Sequence, residues 1–241
     1  MKNGGYVLFK TKLRILISNE EYHIQNMKTL LKTFPKGKLY TRKRGNRYNY
    51  SVYQHGKEKW ITRNRQLVER YQRKEQLELY LSRAQQTYKV LNHFLKELPG
   101  FDYDDPFLMQ WANEEYEKNN YKEEQLLYKT LKGPKVRSKS ERFIADALFN
   151  LHIPYRYECA MYFNGHKIYP DFVILKPNGE FIIWEHFGLL DDDTYRNNAI
   201  RKVELYGNAG YVQHHNLICT KEEDLKDVSV ILDIVQRFYL S

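Results

Sequence analysis

The stretch that decides the fold is residues 169–187, YPDFVILKPNGEFIIWEHF. Two apolar runs of strand length, 169–175 and 180–187, flank the sequence KPNG, which is a strong turn signal. The sequence therefore predicts a β-hairpin in which each run forms one strand.

Each strand of this hairpin carries one carboxylate. Asp171 stands at the head of the first strand, and Glu185 follows 14 residues later near the end of the second. A carboxylate in an apolar strand is costly to bury unless it is paired or bound to a metal ion. Taken alone, Asp171 could equally be an ordinary strand-entry residue. Two carboxylates that converge in a tight hairpin suit Mg²⁺ or Mn²⁺, so we expect a divalent-ion site at Asp171 and Glu185.

Helical and strand patterns alternate on both sides of the hairpin. The patterns predict helices at 139–151, after the acidic run 191–193, and at 228–240, with further strands at 155–163 and 216–220. We therefore expect residues 135–241 to form one domain of mixed α/β class.

The first 134 residues are organised differently. A capping box at Ser18 predicts a helix that ends before Pro35. Three short strands are predicted at 38–43, 47–53 and 57–62, followed by a long helix over 64–98. We expect residues 1–100 to form one region and residues 101–134 a connector, with a hinge near 99–105 and a helix over 106–131.

The long helix carries an apolar seam at heptad spacing. Its members are Leu77, Leu81, Ala84, Tyr88, Leu91, Leu95 and Leu98. Packing against the first helix is the expected use of this seam, and pairing with a second copy of the chain to form a homodimer is the alternative.

The charge of the chain is concentrated in the predicted three-stranded meander. Between Lys36 and Lys74, 13 Lys and Arg residues face two acids, while the whole chain carries +9. A basic block of this kind indicates a polyanion partner, nucleic acid first, although a merely basic surface is the alternative. Three tyrosines could stack on bases or pack inward: Tyr48, Tyr50 and Tyr53. The expected phosphate contacts are Arg42, Lys43, Arg44, Arg47, Lys57, Lys59 and Arg63.

Several classes of protein are excluded by composition. The chain has no run of about 18 apolar residues, so a membrane span is not expected. Lysine and arginine interrupt the apolar start before a signal-peptide core could form, so we expect a cytoplasmic protein. Cys159 and Cys219 are too few for a disulfide framework or a cysteine-based zinc site.

The ordered motifs resemble a known nuclease superfamily. Glu141 on a helix, Asp171 after a proline, a hairpin, and Glu185 at its end together resemble the PD-(D/E)xK, or restriction-endonuclease-like, superfamily over residues 136–240. The wording VRSKSE, IPYRYE and WEHFG also resembles an uncharacterised bacterial family in which a basic, strand-rich N-terminal region precedes the nuclease-like domain. The resemblance implies that Asp171 and Glu185 bind metal and that Glu141 supports the site. From its sequence alone, Glu141 could instead cap its own helix, and a role for Glu158 stays open.

The chain departs from the superfamily pattern at one position. The pattern places a lysine two residues after the second acid, where this chain has Phe187. Strand alternation turns His186 away from Glu185, so His186 can replace the lysine only if the strand bends. The other candidate is Lys202, which shares one helical face with Tyr195, Ala199 and Tyr206. Some superfamily members supply their lysine from such a helix, and we favour Lys202.

The expected function is therefore a Mg²⁺- or Mn²⁺-dependent nuclease, an endonuclease first, acting on DNA before other nucleic acids. Asp171, Glu185 and the carbonyl of His186 are expected to hold the metal, and Lys202 or His186 to position water or stabilise charge on the phosphate. Two alternatives stay open: a catalytically inactive protein that keeps the nuclease fold and binds nucleic acid, and an interaction protein that dimerises through the long helix.

Overall fold

The computed structural model describes residues 4–54, 56–98, 105–163, 165–188 and 193–240. The chain divides into two compact units, which are Ile17–Phe94 on one side and Met1–Leu16 with Leu95–Ser241 on the other. No helix among the described residues combines the length and the apolar character needed to cross a bilayer.

The first helix, α1 (Gly4–Leu31), contributes residues to both units. It runs through Ser18, so the predicted helix start at that residue is wrong. A capping box acts only where the preceding backbone leaves the helical conformation, and here residues 4–17 are helical themselves.

The smaller unit contains the predicted meander and the long helix. The meander is a sheet of order β1-β2-β3 with antiparallel pairing throughout. Its strands and the helix that follows are β1 (Leu39–Arg44), β2 (Arg47–Gln54), β3 (Lys57–Trp60) and α2 (Arg65–Glu97). Asn64 begins α2 by accepting a hydrogen bond from the backbone N–H of Leu67 at 3.0 Å. Val52 and Ile61 pack with Val68 and Tyr71 of α2 in a small apolar core.

The seam of α2 is half-buried over most of its length. Leu77, Leu81 and Leu91 are neither fully buried nor exposed, whereas Leu95 is buried. Partial burial is compatible with packing inside one chain, and the homodimer stays a prediction.

The larger unit is built on a four-stranded mixed sheet. Its strand order is β11-β10-β9-β6, with β10 and β11 parallel and the other pairs antiparallel. The elements in chain order are α3 (Pro106–Asn113), β4 (Tyr128–Lys129), β5 (Lys135–Val136), α4 (Lys139–Asn150), β6 (Tyr155–Tyr157), β7 (Met161–Phe163), β8 (His166–Ile168), β9 (Phe172–Leu175), β10 (Phe181–Phe187), α5 (Asp193–Asn208), β11 (Leu217–Lys221) and α6 (Val228–Tyr239). The predicted mixed α/β class is confirmed.

Two amphipathic helices pack with one side of this sheet. Ile144 and Leu148 of α4 and Ile231 and Val235 of α6 are buried in one apolar cluster with Trp184 of β10. The buried residues of each helix recur at spacings of three and four, which places them on one helical face. Strand β9 is buried at all four positions, because it lies between β10 and β6. The strand that carries Glu185 and the strand that follows Asp171 therefore contribute to a buried apolar core.

Three further predicted elements differ from the structure. The strand expected at 155–163 is divided into β6 and β7 at Glu158, whose φ of 45° is incompatible with a continuous strand. The strand expected at 169–175 begins only at Phe172, and β8 was not predicted.

The third difference is the expected helix over 106–131, which continues only to Asn113. Tyr128–Lys129 and Lys135–Val136 form a short hairpin instead, and they lie in the larger unit. Of the expected hinge at 99–105, residues 99–104 lie outside the described residues.

Candidate active site

The hairpin brings Asp171 and Glu185 together. Strands β9 and β10 pair as far as Phe172 with Trp184, so Asp171 stands opposite Glu185 one position further on. The Asp171 carboxylate reaches β10, where its Oδ2 accepts a hydrogen bond of 2.7 Å from the backbone N–H of His186. Its Oδ1 accepts no hydrogen bond from the described residues.

Glu185 is held by two side chains of α5. Its carboxylate is 1% exposed. Lys202 Nζ donates to Oε2 at 2.7 Å, and the hydroxyl of Tyr206 donates to Oε1. An ammonium ion and a hydroxyl therefore satisfy both oxygens of this buried carboxylate.

The charges of this cluster are strongly coupled. Burial raises the pKa of Asp171 well above its ordinary value, and the charge of Glu185 raises it further, while Lys202 opposes both effects. Burial lowers the pKa of Lys202, but Glu185 and Asp171 outweigh it and leave that pKa above its ordinary value. The cluster therefore contains one cation for two acids, and Asp171 is the acid left short of compensating charge.

The face of α5 that was predicted from the sequence lies toward the site. Ala199 and Tyr206 are buried, while Tyr195 and Lys202 are half-buried. The sequence places Tyr206 on this face but does not indicate what it contacts. Burial and then Glu185 raise the pKa of its hydroxyl, which therefore stays protonated and acts as the donor. Its position at i+4 from Lys202 was the one sequence signal for this contact.

His186 lies on the opposite side of β10 from Glu185. Its ring nitrogens contact Thr220 Oγ1 and Glu222 Oε2, each at 3.1 Å. Ser140 donates to both oxygens of Glu222 at 2.8 Å. The imidazole is thus part of a separate polar network, and only the backbone N–H of His186 contacts Asp171. Lys202 is the candidate that the structure brings to Glu185, and a metal-binding role for the His186 carbonyl stays a prediction.

Glu141 has contacts that suit both of its predicted roles. Ser138 caps α4 by accepting a hydrogen bond of 3.0 Å from the Glu141 N–H. The Glu141 carboxylate accepts from the backbone N–H of Arg137 at 3.0 Å and from the Tyr157 hydroxyl at 2.6 Å. It is also near enough to Asp171 to contribute to the raised pKa of that group. The described contacts therefore place Glu141 beside the site without joining it to Glu185.

Glu158, which the sequence left open, positions the backbone before β9. Its N–H donates to the carbonyl of Asp171 at 3.1 Å. Its side chain forms a two-point ion pair with Arg137, with distances of 2.7 Å and 3.0 Å. No sequence signal indicates a positive φ at a glutamate, so these contacts of Glu158 could not be predicted.

Two neighbouring carboxylates are a donor set of the kind that a hard divalent ion takes together with several water ligands, and a metal ion at Asp171 and Glu185 stays a prediction. Among the described residues, no three His, Cys, Asp or Glu side chains gather into a group that could hold a metal ion. Mg²⁺ is commonly bound by one or two carboxylates with water and substrate phosphates, and Asp171 with Glu185 is such a pair.

The expected phosphate contacts lie in the smaller unit and divide between two sides of the meander. Cross-strand pairing places Arg42 opposite Asn49 and Arg44 opposite Arg47 on one side. Lys43, Lys57 and Lys59 alternate with these positions and lie on the other side. Arg63 follows β3. The meander therefore does not present all seven cations to one ligand surface.

Comparison with known proteins adds little to this picture. No family model matches the chain, and no solved structure matches it. The chain is 30% identical over 118 residues to an uncharacterised protein of Methanocaldococcus jannaschii. The match covers 43% of this chain and 10% of that protein, so the chain corresponds to only a small part of it.

Proposed function

We propose that this protein is a metal-dependent nuclease that hydrolyses phosphodiester bonds, with DNA as the first substrate to test. The observation that carries the proposal is the contact of 2.7 Å between Lys202 Nζ and Glu185, on a carboxylate that neighbours Asp171. The site contains two acids and one lysine, which is the set that the resemblance to the superfamily predicts. These residues lie at a strand entry, in a strand and in a helix. The expected cytoplasmic location stays a prediction.

Asp171 and Glu185 are the residues that would hold Mg²⁺ or Mn²⁺. The bound ion would polarise a phosphoryl oxygen and make water a better nucleophile at neutral pH. The raised pKa of Asp171 supports this assignment, because a carboxylate short of compensating charge gains most from a cation. A third protein ligand, the His186 carbonyl, is expected from the sequence alone.

Lys202 acts as a fixed positive charge in this proposal. Its pKa is raised, which favours the charged ammonium form over the neutral amine that a general base requires. An ammonium ion held beside the two acids can instead orient the attacking water and stabilise negative charge on the phosphate as the P–O bond breaks. Tyr206 and the buried strand fix Glu185, and through it Lys202, before the substrate arrives.

Cleavage of a substrate panel tests the proposal. Supercoiled plasmid, linear duplex, single-stranded DNA and RNA would be incubated with Mg²⁺, Mn²⁺ or EDTA. Wild type would be compared with Asp171→Asn, Glu185→Gln and the control Glu204→Gln, which removes an exposed carboxylate from α5. We expect metal-dependent cutting by wild type and the control, and none by the site variants. Nicking of closed plasmid would identify an endonuclease. Equal cutting by Asp171→Asn and wild type would overturn the assignment.

One observation favours a second function, a nucleic-acid-binding protein that keeps the nuclease fold without activity. Both oxygens of Glu185 already accept hydrogen bonds, from Lys202 and Tyr206, so a metal ion must share or displace these donors. Calorimetric titration with Mn²⁺ separates the two functions. Binding that is lost in Asp171→Asn supports the nuclease, whereas no binding by wild type, together with nucleic-acid binding in EDTA, supports the inactive protein.

A further inference from the structure

Strand pairing gathers aromatic and basic side chains on one side of the meander. The pairs align Tyr40, Ser51 and Trp60 in one row across the three strands, with Tyr53 opposite Glu58 in a neighbouring row. We call this side the outer face. It consists of Tyr40, Arg42, Arg44, Arg47, Asn49, Ser51, Tyr53, Glu58 and Trp60.

Contacts between side chains agree with this assignment. Arg42 forms an ion pair of 3.1 Å with Glu58, and its guanidinium lies 5.2 Å from the centre of the Trp60 ring. The rings of Tyr40 and Tyr53 meet edge to face at 5.2 Å. Arg42 thus already contacts one acid and one aromatic ring, and its contact with a phosphate stays a prediction.

The aromatic rings of the outer face are open to solvent. Tyr40 is 41% exposed, Tyr53 48% and Trp60 49%. The opposite side of the same sheet carries Val52 and Ile61, which are buried against α2. One side of the meander therefore packs in the apolar core, whereas the aromatic rings of the outer face lie outside this core.

An open cleft of about 640 Å³ adjoins this face beside Trp60. This volume lies within the range of ligand sites, about 300–1,000 Å³. Arg44, Lys59 and Arg63 line the cleft, and its lining contains no acid. Trp60 forms part of the wall, whereas Arg42 does not. The remaining lining includes two amide side chains, Asn49 and Asn64.

We propose that the outer face and this cleft bind single-stranded nucleic acid, with Trp60 stacked on an unpaired base and Arg44 and Arg63 on neighbouring phosphates. An aromatic ring needs the face of a base, and in a duplex those faces are covered by the adjacent base pairs. Exposed rings on a sheet with cations beside them suit a single strand, whose bases can be splayed out.

The inference rests on the proposed function in that it assumes a nucleic-acid substrate. It is carried by the smaller unit alone, since every residue that it uses lies in Ile17–Phe94. Binding measured in EDTA therefore tests it without cleavage.

The experiment measures the affinity of the full-length protein for fluorescein-labelled 15-mers by anisotropy, in EDTA. Single-stranded DNA, single-stranded RNA and a DNA duplex are compared. The variants are Trp60→Ala, Trp60→Phe and the control Tyr48→Ala. Tyr48 is 51% exposed and lies on the opposite side of β2, so its removal deletes a similar aromatic surface outside the proposed site.

We expect wild type to bind at least one single strand about ten-fold or more tightly than the duplex. Trp60→Ala should weaken single-strand binding about ten-fold, because stacking contributes about that much per base, and Trp60→Phe should retain most of it. Tyr48→Ala should bind as wild type does. The DNA and RNA arms identify which strand is bound.

Two results would overturn the inference: equal binding of single strand and duplex by wild type, or equal weakening by Trp60→Ala and Tyr48→Ala. If binding follows the expected pattern but no substrate is cut, the proposed nuclease fails and this inference stands. Far-UV circular dichroism of Trp60→Ala, together with the binding measured for Trp60→Phe, distinguishes the loss of the aromatic ring from the loss of the fold.

Discussion

At the scale of single residues, Lys202 has the sharpest predicted effect. Replacing it by methionine keeps the length of the side chain but removes the cation beside the two acids, so cleavage should fall about 100-fold or more. Because Lys202 opposes the raised pKa of Asp171, the acidic limb of any remaining pH–rate profile should move to higher pH. Initial rates between pH 5 and 9 measure both effects. Arg201→Met, an exposed neighbour on α5, is the control. Unchanged cleavage by Lys202→Met would contradict its role.

Asp171 should make the free protein less stable at neutral pH. A carboxyl whose pKa is raised by folding contributes full stability below its unfolded pKa of about 3.9, and loses it as pH rises through the folded value. Asp171→Asn should therefore have a higher urea midpoint than wild type at pH 8, and the difference should shrink toward pH 4.5. Unfolding followed in EDTA at both pH values tests this, with Asp233→Asn as an exposed control. A lower midpoint for Asp171→Asn at pH 8 would show that the carboxylate stabilises the fold.

At the scale of elements, strand β10 separates two polar networks. Glu185 faces Lys202 and Tyr206, while His186 contacts Thr220 and Glu222 on the other side. We predict that His186→Gln keeps cleavage within about three-fold of wild type but lowers the free energy of unfolding by about 1–2 kcal/mol, because buried hydrogen bonds are lost. Cleavage rates and urea unfolding measure the two effects. Loss of cleavage in a stable His186→Gln protein would place the imidazole in the reaction.

The same strand shows what could be predicted from the sequence. Two apolar runs around a turn signal predict a hairpin, and the period of two places Glu185 and His186 on different sides. The helical period likewise indicates which face of α5 carries Lys202. The break at Glu158 has no such signal, because a positive φ at a non-glycine residue is imposed by contacts with Asp171 and Arg137 that are distant in sequence. The contacts of His186 with Thr220 and Glu222 likewise depend on the parallel pairing of β10 with β11.

At the scale of the whole molecule, the two compact units separate the basic block from the rest of the chain, but they do not follow the order of the sequence. The basic block from Lys36 to Lys74 lies entirely within the smaller unit. The larger unit takes both ends of the chain, and Ile15 of α1 is buried in its apolar cluster. Periodicity shows that a helix has an apolar face but does not name the partner of that face. A sequence therefore locates a charged region more easily than it assigns the first helix to a core.

The salt dependence of binding should show which side of the meander meets the phosphates. For single strands, the slope of log K against log salt concentration changes by about 0.7 for each phosphate contact. Arg44→Gln with Arg63→Gln removes the two cations that are proposed to contact phosphates, so the slope should flatten by about 1.4. Lys43→Gln with Lys57→Gln removes the same net charge from the opposite side and should change the slope much less. Anisotropy titrations in EDTA between about 50 and 300 mM salt measure both slopes. Because the two double variants carry equal net charge, equal flattening would mean that binding follows overall charge and that the outer face is not the contact surface.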